Sequence, residues 1–458
     1  MEGLSPALLT AALITLAAIL GLGVWSGRQV KGARDFEQGG GNAGSLLVAG
    51  AVLGTLVGGN STVGTAQLAF TSGFSALWFA IGASAGCLVL GFVFCGPLRD
   101  SGCATIQQII RREFGQRAGV VTAVLSCVGM VINIVAQLLA ANALFGTLFG
   151  LEGFGASLLS AGVVFCYGFF GGVKGAGLLG VVKMCLLYAA VLCGGILALQ
   201  LAGQAGGLTA GLPAEAYRNL MARGPAVDVG AALSVALGVL STQTYVQALL
   251  SGKTTAAARR GIFLSAALIP PVGVFSTVIG LFMRKSWPEL SAAQAFPAFV
   301  LQYLPPAVAG VVLAALLIAV VGTTSGTALG LSHVLTSDLY RRVRPEADDK
   351  TILRVSRGLF AAALALGLAL TTGAFQSAIL SWGFLSMGLR AAVLFAPLCV
   401  ALFLPGRVRP GAPVAGGILA VAAMLLGKAA QVPFDTLFLG MGVSVLCLLL
   451  GRKPRMEP

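Results

Sequence analysis

Apolar stretches of about twenty residues follow one another along the whole chain, separated by short polar and charged segments. Each is long enough to cross a hydrocarbon core of about 30 Å as a helix. The pattern predicts thirteen spans, at 5–25, 44–69, 74–96, 119–149, 155–170, 176–201, 229–250, 262–283, 307–333, 358–373, 376–404, 412–427 and 436–451. No soluble block between them is long enough to form a second domain. Residues 1–458 therefore read as a single polytopic domain, an all-α membrane protein.

The loops between spans carry an alternating charge pattern. One set holds Arg28, Lys31, Arg34, Arg99, Arg111, Arg112, Arg117, Lys174, Lys253, Arg259, Arg260, the basic run from Arg341 to Arg357, Arg407, Arg409, Arg452, Lys453 and Arg455. That set contains 22 basic residues, against 5 in the opposite set, which holds Arg218, Arg223, Arg284, Lys285 and Lys428. The positive-inside rule puts the larger set in the cytoplasm. With an odd number of spans, the N-terminus lies outside and the C-terminus inside, in the plasma membrane (the inner membrane of a bacterium). The first run has no basic region before it and reads as a retained span, not a cleaved signal peptide.

Composition supports this placement. The chain is 57% hydrophobic and 10% charged, where a soluble domain carries about 25% charge. The net charge of +14 lies in the short loops, so it reports topology and does not suggest a nucleic-acid partner. The lipid bilayer is the partner expected, and nothing in the sequence asks for an obligate protein partner. Nine scattered cysteines without a CxxC argue against a metal centre or a disulfide framework. There is no HExxH, no intramembrane Asp pair, and one histidine, His333, at a membrane edge, so the chain is not expected to be an enzyme or to hold a cofactor.

Two basic residues lie inside spans, Lys183 and Arg390, and no Asp or Glu lies well inside any. Small and polar residues interrupt two spans: Gly54-Thr-Leu-Val-Gly-Gly-Asn-Ser-Thr-Val-Gly64 in the second and Gly322-Thr-Thr-Ser-Gly-Thr-Ala-Leu-Gly330 in the ninth. Interrupted hydrophobic segments point to a transporter's binding site. Gly322, Gly326 and Gly330 also repeat every four residues, as a helix-packing face would.

Several ordered motifs over residues 35–410 resemble the sodium/solute symporter family. They are Gly58 to Phe79; Gly322-Thr-Thr-Ser running into Leu335 to Arg342; Ser241-Thr-Gln-Thr-Tyr-Val-Gln247 followed by Ser251-Gly-Lys and Arg259-Arg260-Gly; and Tyr167 to Gly172. The resemblance implies a LeuT-type fold. One helix would precede two inverted five-helix repeats, approximately 44–201 and 229–404, and two helices would follow. It also implies symport of a small organic solute with sodium by alternating access. Some relatives are sensors fused to a kinase, and here that reading would need a separate partner.

Carried over by motif, the sodium ligands are the carbonyls of Gly54, Val57 and Ala319 and a hydroxyl pair at Gly322 and Thr323. The first hydroxyl is missing, and Thr324 and Ser325 are the nearby substitutes. A family acid falls on Gly180, and Lys183 stands one turn further on. At 1.5 Å per residue, Lys183 is roughly 11 Å from the cytoplasmic end of its span, and Gly54 and Thr323 are roughly 15 Å from theirs. Three readings of Lys183 stay open: snorkelling to the interface, replacement of the ion in a proton-coupled or sodium-independent carrier, or contact with substrate. Arg390 would be satisfied by carbonyls at a helix break or by a carboxylate of the solute. The excess of cations favours an anionic or zwitterionic solute. Asn60, Ser61, Thr62, Gln67, Asn133, Gln137, Gln243 and Tyr245 are the further candidates for contact with it, although interhelical hydrogen bonds explain such residues equally well.

Overall fold

The structure is a computed structural model and describes residues 5–27, 43–151, 153–373 and 378–453. Arg28, Lys31, Arg34 and Arg455 lie outside these residues, as does the side chain of Lys174. The described chain is helical almost throughout, because a backbone in lipid must pair its own N–H and C=O groups. In order, the helices are α1 (Pro6–Gly27), α2 (Ser45–Leu56), α3 (Thr65–Ser72), α4 (Trp78–Val89), α5 (Ile106–Phe114), α6 (Gln116–Phe149), α7 (Phe154–Gln204) and α8 (Pro225–Leu240). There follow α9 (Gln243–Leu250), α10 (Thr255–Ser286), α11 (Ala295–Tyr303), α12 (Pro306–Leu335), α13 (Asp349–Thr371), α14 (Ile379–Phe403), α15 (Ala412–Ala429) and α16 (Leu437–Leu450). Among the described residues, eight helical segments are long and apolar enough to cross a membrane, or nine if α8 and α9, bent by 45°, form one span.

The expected spans 155–170 and 176–201 both fall on α7. Ser157 Oγ donates to Asn142 Oδ1 near the end of α6 (2.9 Å), and Lys285 Nζ at the end of α10 donates to the Gly207 carbonyl just beyond α7 (2.8 Å). α6 and α10 both contact α11.

α12 runs through the centre, packed on α1, α6 and α7, and is buried along nearly all its length. It is one continuous helix, so the interruption expected at Gly322–Gly330 does not occur. Those glycines instead open a face on which Lys183, Thr55 and Thr244 pack, one opposite each glycine. Small residues let backbones meet elsewhere too: Gly82 sits against the Ala232 carbonyl, Gly280 against that of Ala66 and Gly310 against that of Leu8. The second helix break lies between α8 and α9 at Ser241 and Thr242, where no glycine signals it.

Gly73 closes α3 with φ 59° and ψ −135°, and a Cβ there would strike the Tyr217 backbone. This conformation is open to glycine and costs other residues on the order of 1–3 kcal/mol. Gly73→Ala is therefore expected to lower the thermal unfolding midpoint of the purified protein. A midpoint equal to wild type would show that the turn relaxes freely.

Candidate functional site

The first break follows from two glycines. α2 ends at Leu56 because Val57 is extended (φ −93°, ψ 104°). A Cβ at Gly58 would collide with Thr323 Oγ1, and one at Gly59 with Ala140, so only glycine lets the opened chain come this close. The helix resumes through a wide turn over Asn60–Gly64, in which the Gly64 N–H donates to the Gly59 carbonyl (2.8 Å).

The groups released by the opening are satisfied by side chains. The Gly58 N–H donates to Ser61 Oγ (3.0 Å), and the hydroxyls of Ser61 and Thr62 stand 3.0 and 2.9 Å from the Gly58 carbonyl. The Gly59 N–H donates to Gln137 Oε1 (2.8 Å). The Gly54 carbonyl accepts from Lys183 Nζ at 2.6 Å. Lys183 Nζ also donates to Thr323 Oγ1 (3.1 Å), which is itself 3.4 Å from the carbonyls of both Gly54 and Val57. The residue is 2% exposed. A Cβ added at Gly322 would lie 3.4 Å from Nζ, so the ammonium faces the position that lacks its hydroxyl.

The neighbouring hydroxyls do not fill that gap. Thr324 Oγ1 donates to the Val320 carbonyl of its own helix (2.7 Å). Ser325 stands against Gly168, Gly180 rests on the Gly50 carbonyl, and Ala319 is fully buried one turn before Thr323.

A polar relay leads from this point toward the second half of the break. Thr327 Oγ1 donates to the Thr323 carbonyl (2.9 Å), Asn133 Nδ2 to Thr327 Oγ1 (2.9 Å) and Asn60 Nδ2 to Asn133 Oδ1 (3.3 Å). Asn60 Oδ1 is buried with no partner among the described residues, and so is Ser241 Oγ at the second break.

Arg390 reaches that second break. Its Nη1 donates to Thr242 Oγ1 (2.8 Å), its Nη2 to Ser386 Oγ (2.9 Å) and its Nε to the Ser386 carbonyl (3.1 Å), with 1% of the residue exposed. Ser386 Oγ in turn donates to the Gly129 carbonyl of α6 (2.6 Å). Tyr245 is buried on α9, three residues after Thr242.

Two sequence candidates serve helix starts. Gln67 Oε1 accepts the Ile379 N–H that opens α14 (2.9 Å). Gln243 holds the start of α5, accepting from the Ile106 N–H and donating to the Ala104 carbonyl (3.0 Å each). Thr242, Ser241, Thr327 and Ser386 were not singled out from the sequence. The signals for them were the hydroxyl pair inside the seventh span and the i, i+4 spacing of Thr323 with Thr327 and of Ser386 with Arg390.

The sodium:solute symporter family model matches residues 36–419. The chain belongs to this family. Its relatives include the high-affinity choline transporter 1 of Caenorhabditis elegans, 24% identical over 464 residues, covering 92% of this chain and 77% of that protein. The Drosophila melanogaster high-affinity choline transporter 1 is 24% identical over 368 residues, which cover 74% of this chain and 58% of that protein. The fold is shared with a Na+-coupled sialic acid symporter solved substrate-bound and outward-open, at TM-score 0.80 and 18% identity over 98% of this chain and 97% of that one. It is shared more distantly with a nucleobase-cation-symport-1 family transporter, at TM-score 0.58 and 14% identity over 90% and 93% of the two chains.

Arg390 is a buried charge held by hydroxyls and a carbonyl, so removing one acceptor is costly. A hydrogen bond to a charged group is worth about 1.5–3 kcal/mol. Thr242→Val should lower stability by about that amount, and adding Arg390→Met should recover part of the loss. Thermal unfolding of the two variants checks this; losses that simply add would contradict it.

Proposed function

We propose that the protein is a secondary transporter for a small organic solute in which the Lys183 ammonium takes the place of the coupling cation, so that transport is proton-linked and independent of sodium at this site. The observation that carries the reading is the pair of bonds from Lys183 Nζ to the Gly54 carbonyl and Thr323 Oγ1. These are two of the oxygens that the family resemblance assigns to sodium. A second monovalent cation about 3 Å from the ammonium would be repelled by about 5 kcal/mol at an effective dielectric constant of about 20. Ion and charged lysine therefore exclude each other. A proton gained and lost at Lys183 would alternately clasp and release the α2 break against α12.

We count thirteen membrane passes, taking α2–α3 and α8–α9 each as one broken pass and residues 155–170 and 176–201 of α7 as separate passes. On this reading the inverted repeats span approximately 44–201 and 229–404 within one transport domain. The basic loops face the cytoplasm of a bacterial inner membrane and the N-terminus lies outside. The two breaks then belong to equivalent helices, and each is met by a buried cation from the last helix of its own repeat. Two buried cations with no ion-pair partner among the described residues favour a carboxylate or zwitterion over a bare cation as solute. Asn60 Oδ1 and Ser241 Oγ, one at each break, are the unpartnered groups positioned to receive it.

Sodium-coupled symport is the second reading. Family membership supports it, and so does the convergence of the Gly54 and Val57 carbonyls on Thr323 Oγ1. It requires Lys183 to withdraw.

Uptake into proteoliposomes, using a panel of small carboxylates and zwitterions under imposed sodium or proton gradients, separates the two. The expected result is uptake that follows the proton gradient, ignores sodium and loses its proton dependence in Lys183→Gln. Strict sodium dependence that survives Lys183→Gln and fails in Thr323→Ala would establish the second reading instead.

A further inference from the structure

α8, α14 and α16 leave between them a partly open cavity of about 480 Å³. Phe395, Cys399, Met441 and Leu448 wall it, and its only charged lining residues are Arg407 and Arg452. These two arginines follow α14 and α16 and belong to the loops that the charge pattern places in the cytoplasm. A backbone bridge sets them side by side: the Lys453 N–H donates to the Arg407 carbonyl (2.9 Å) and the Arg409 N–H to the Gly451 carbonyl (2.8 Å). Both side chains are exposed, and neither guanidinium has a hydrogen-bond partner among the described residues. Two other loop arginines on this face are occupied: Arg99 bonds the carbonyls of Leu249 and Gly252, and Arg112 that of Ser101.

We propose that this cavity binds one anionic phospholipid of the cytoplasmic leaflet, with an acyl chain between α14 and α16 and the phosphate on Arg407 and Arg452. Two neighbouring, unengaged guanidiniums match a phosphodiester in charge and in the bidentate bonds they can offer. Basic pockets between membrane helices on the cytoplasmic side are suited to anionic headgroups. The acyl chain gains little by leaving other lipid, which is equally apolar, so selection rests on the headgroup. A second copy of this chain is the poorer occupant, because its cytoplasmic face carries the same excess of positive charge. The site touches the transport machinery. Phe395 follows Arg390 on α14, and Leu237 lies on α8 just before the break that Arg390 holds.

Native mass spectrometry of the full-length protein, taken from bilayers of mixed phosphatidylglycerol and phosphatidylcholine, tests the proposal. Wild type should retain phosphatidylglycerol in preference to phosphatidylcholine. The pair Arg407→Gln/Arg452→Gln should lose that preference, and Arg407→Lys/Arg452→Lys should keep part of it, which separates lost charge from misfolding. Cys399→Trp should expel the lipid by filling the cavity with both arginines present. The control pair Arg344→Gln/Lys350→Gln, in a basic loop away from the cavity, should retain it. Equal retention of the two lipids by wild type would overturn the proposal. So would retention unchanged in the glutamine pair, or a dimer that disappears in Cys399→Trp.

Discussion

No water is available in a bilayer to solvate a carbonyl released from a helix, so an opened helix must find its partners within the protein. The break after Leu56 releases the Gly54 carbonyl among buried residues, and Lys183 is the group that meets it. The same contact solves a second problem. An ammonium buried among apolar helices is costly unless carbonyls or hydroxyls surround it. The break therefore stabilises the lysine, and the lysine stabilises the break. Gly58 and Gly59 are needed to bring α2 close enough to α12, and Gly322 leaves room for the lysine's end.

Arg390 repeats this logic at the other break. There the chain opens at Ser241 and Thr242 without glycine, and a guanidinium anchored by Ser386 reaches Thr242. The two sites differ in what they can exchange. Arg390 has the higher intrinsic affinity for its proton of the two residue types, and its donors are spread over three oxygens, so it acts as a fixed strut. Lys183 carries a compact charge on a flexible stem, and this chemistry suits it to load and release a proton. On the proposed reading, one break is held permanently and the other conditionally.

Much of this was legible in the sequence because membrane helices are simple. Apolar runs located the helices, and a constant rise per residue placed Lys183, Gly54 and Thr323 at similar depth before any contact was known. Side-chain direction was not legible, since a span apolar all round gives no amphipathic phase to fix it. Gln243 and Gln67 looked like lining residues, yet their amides hold the starts of α5 and α14. Glycines also mean different things in different neighbourhoods. At Gly58 and Gly59 they accompany a break, whereas at Gly322, Gly326 and Gly330 they form a groove in an intact helix for side chains from α7, α2 and α9. Only the facing helix decides between these uses, and one sequence does not name it. Thr242 was missed for the same reason, because its role depends on an arginine 148 positions away.

On the proposed reading, the lysine and a sodium ion compete for one set of oxygens. Equilibrium binding of radiolabelled sodium to the purified protein tests it without knowledge of the solute. The account predicts no saturable sodium binding in wild type, and binding that emerges when Lys183→Met is combined with Gly322→Ser, which frees the oxygens and restores the missing hydroxyl. Saturable binding by wild type that Thr323→Ala abolishes would show that sodium occupies the site with the lysine in place, and would contradict the account.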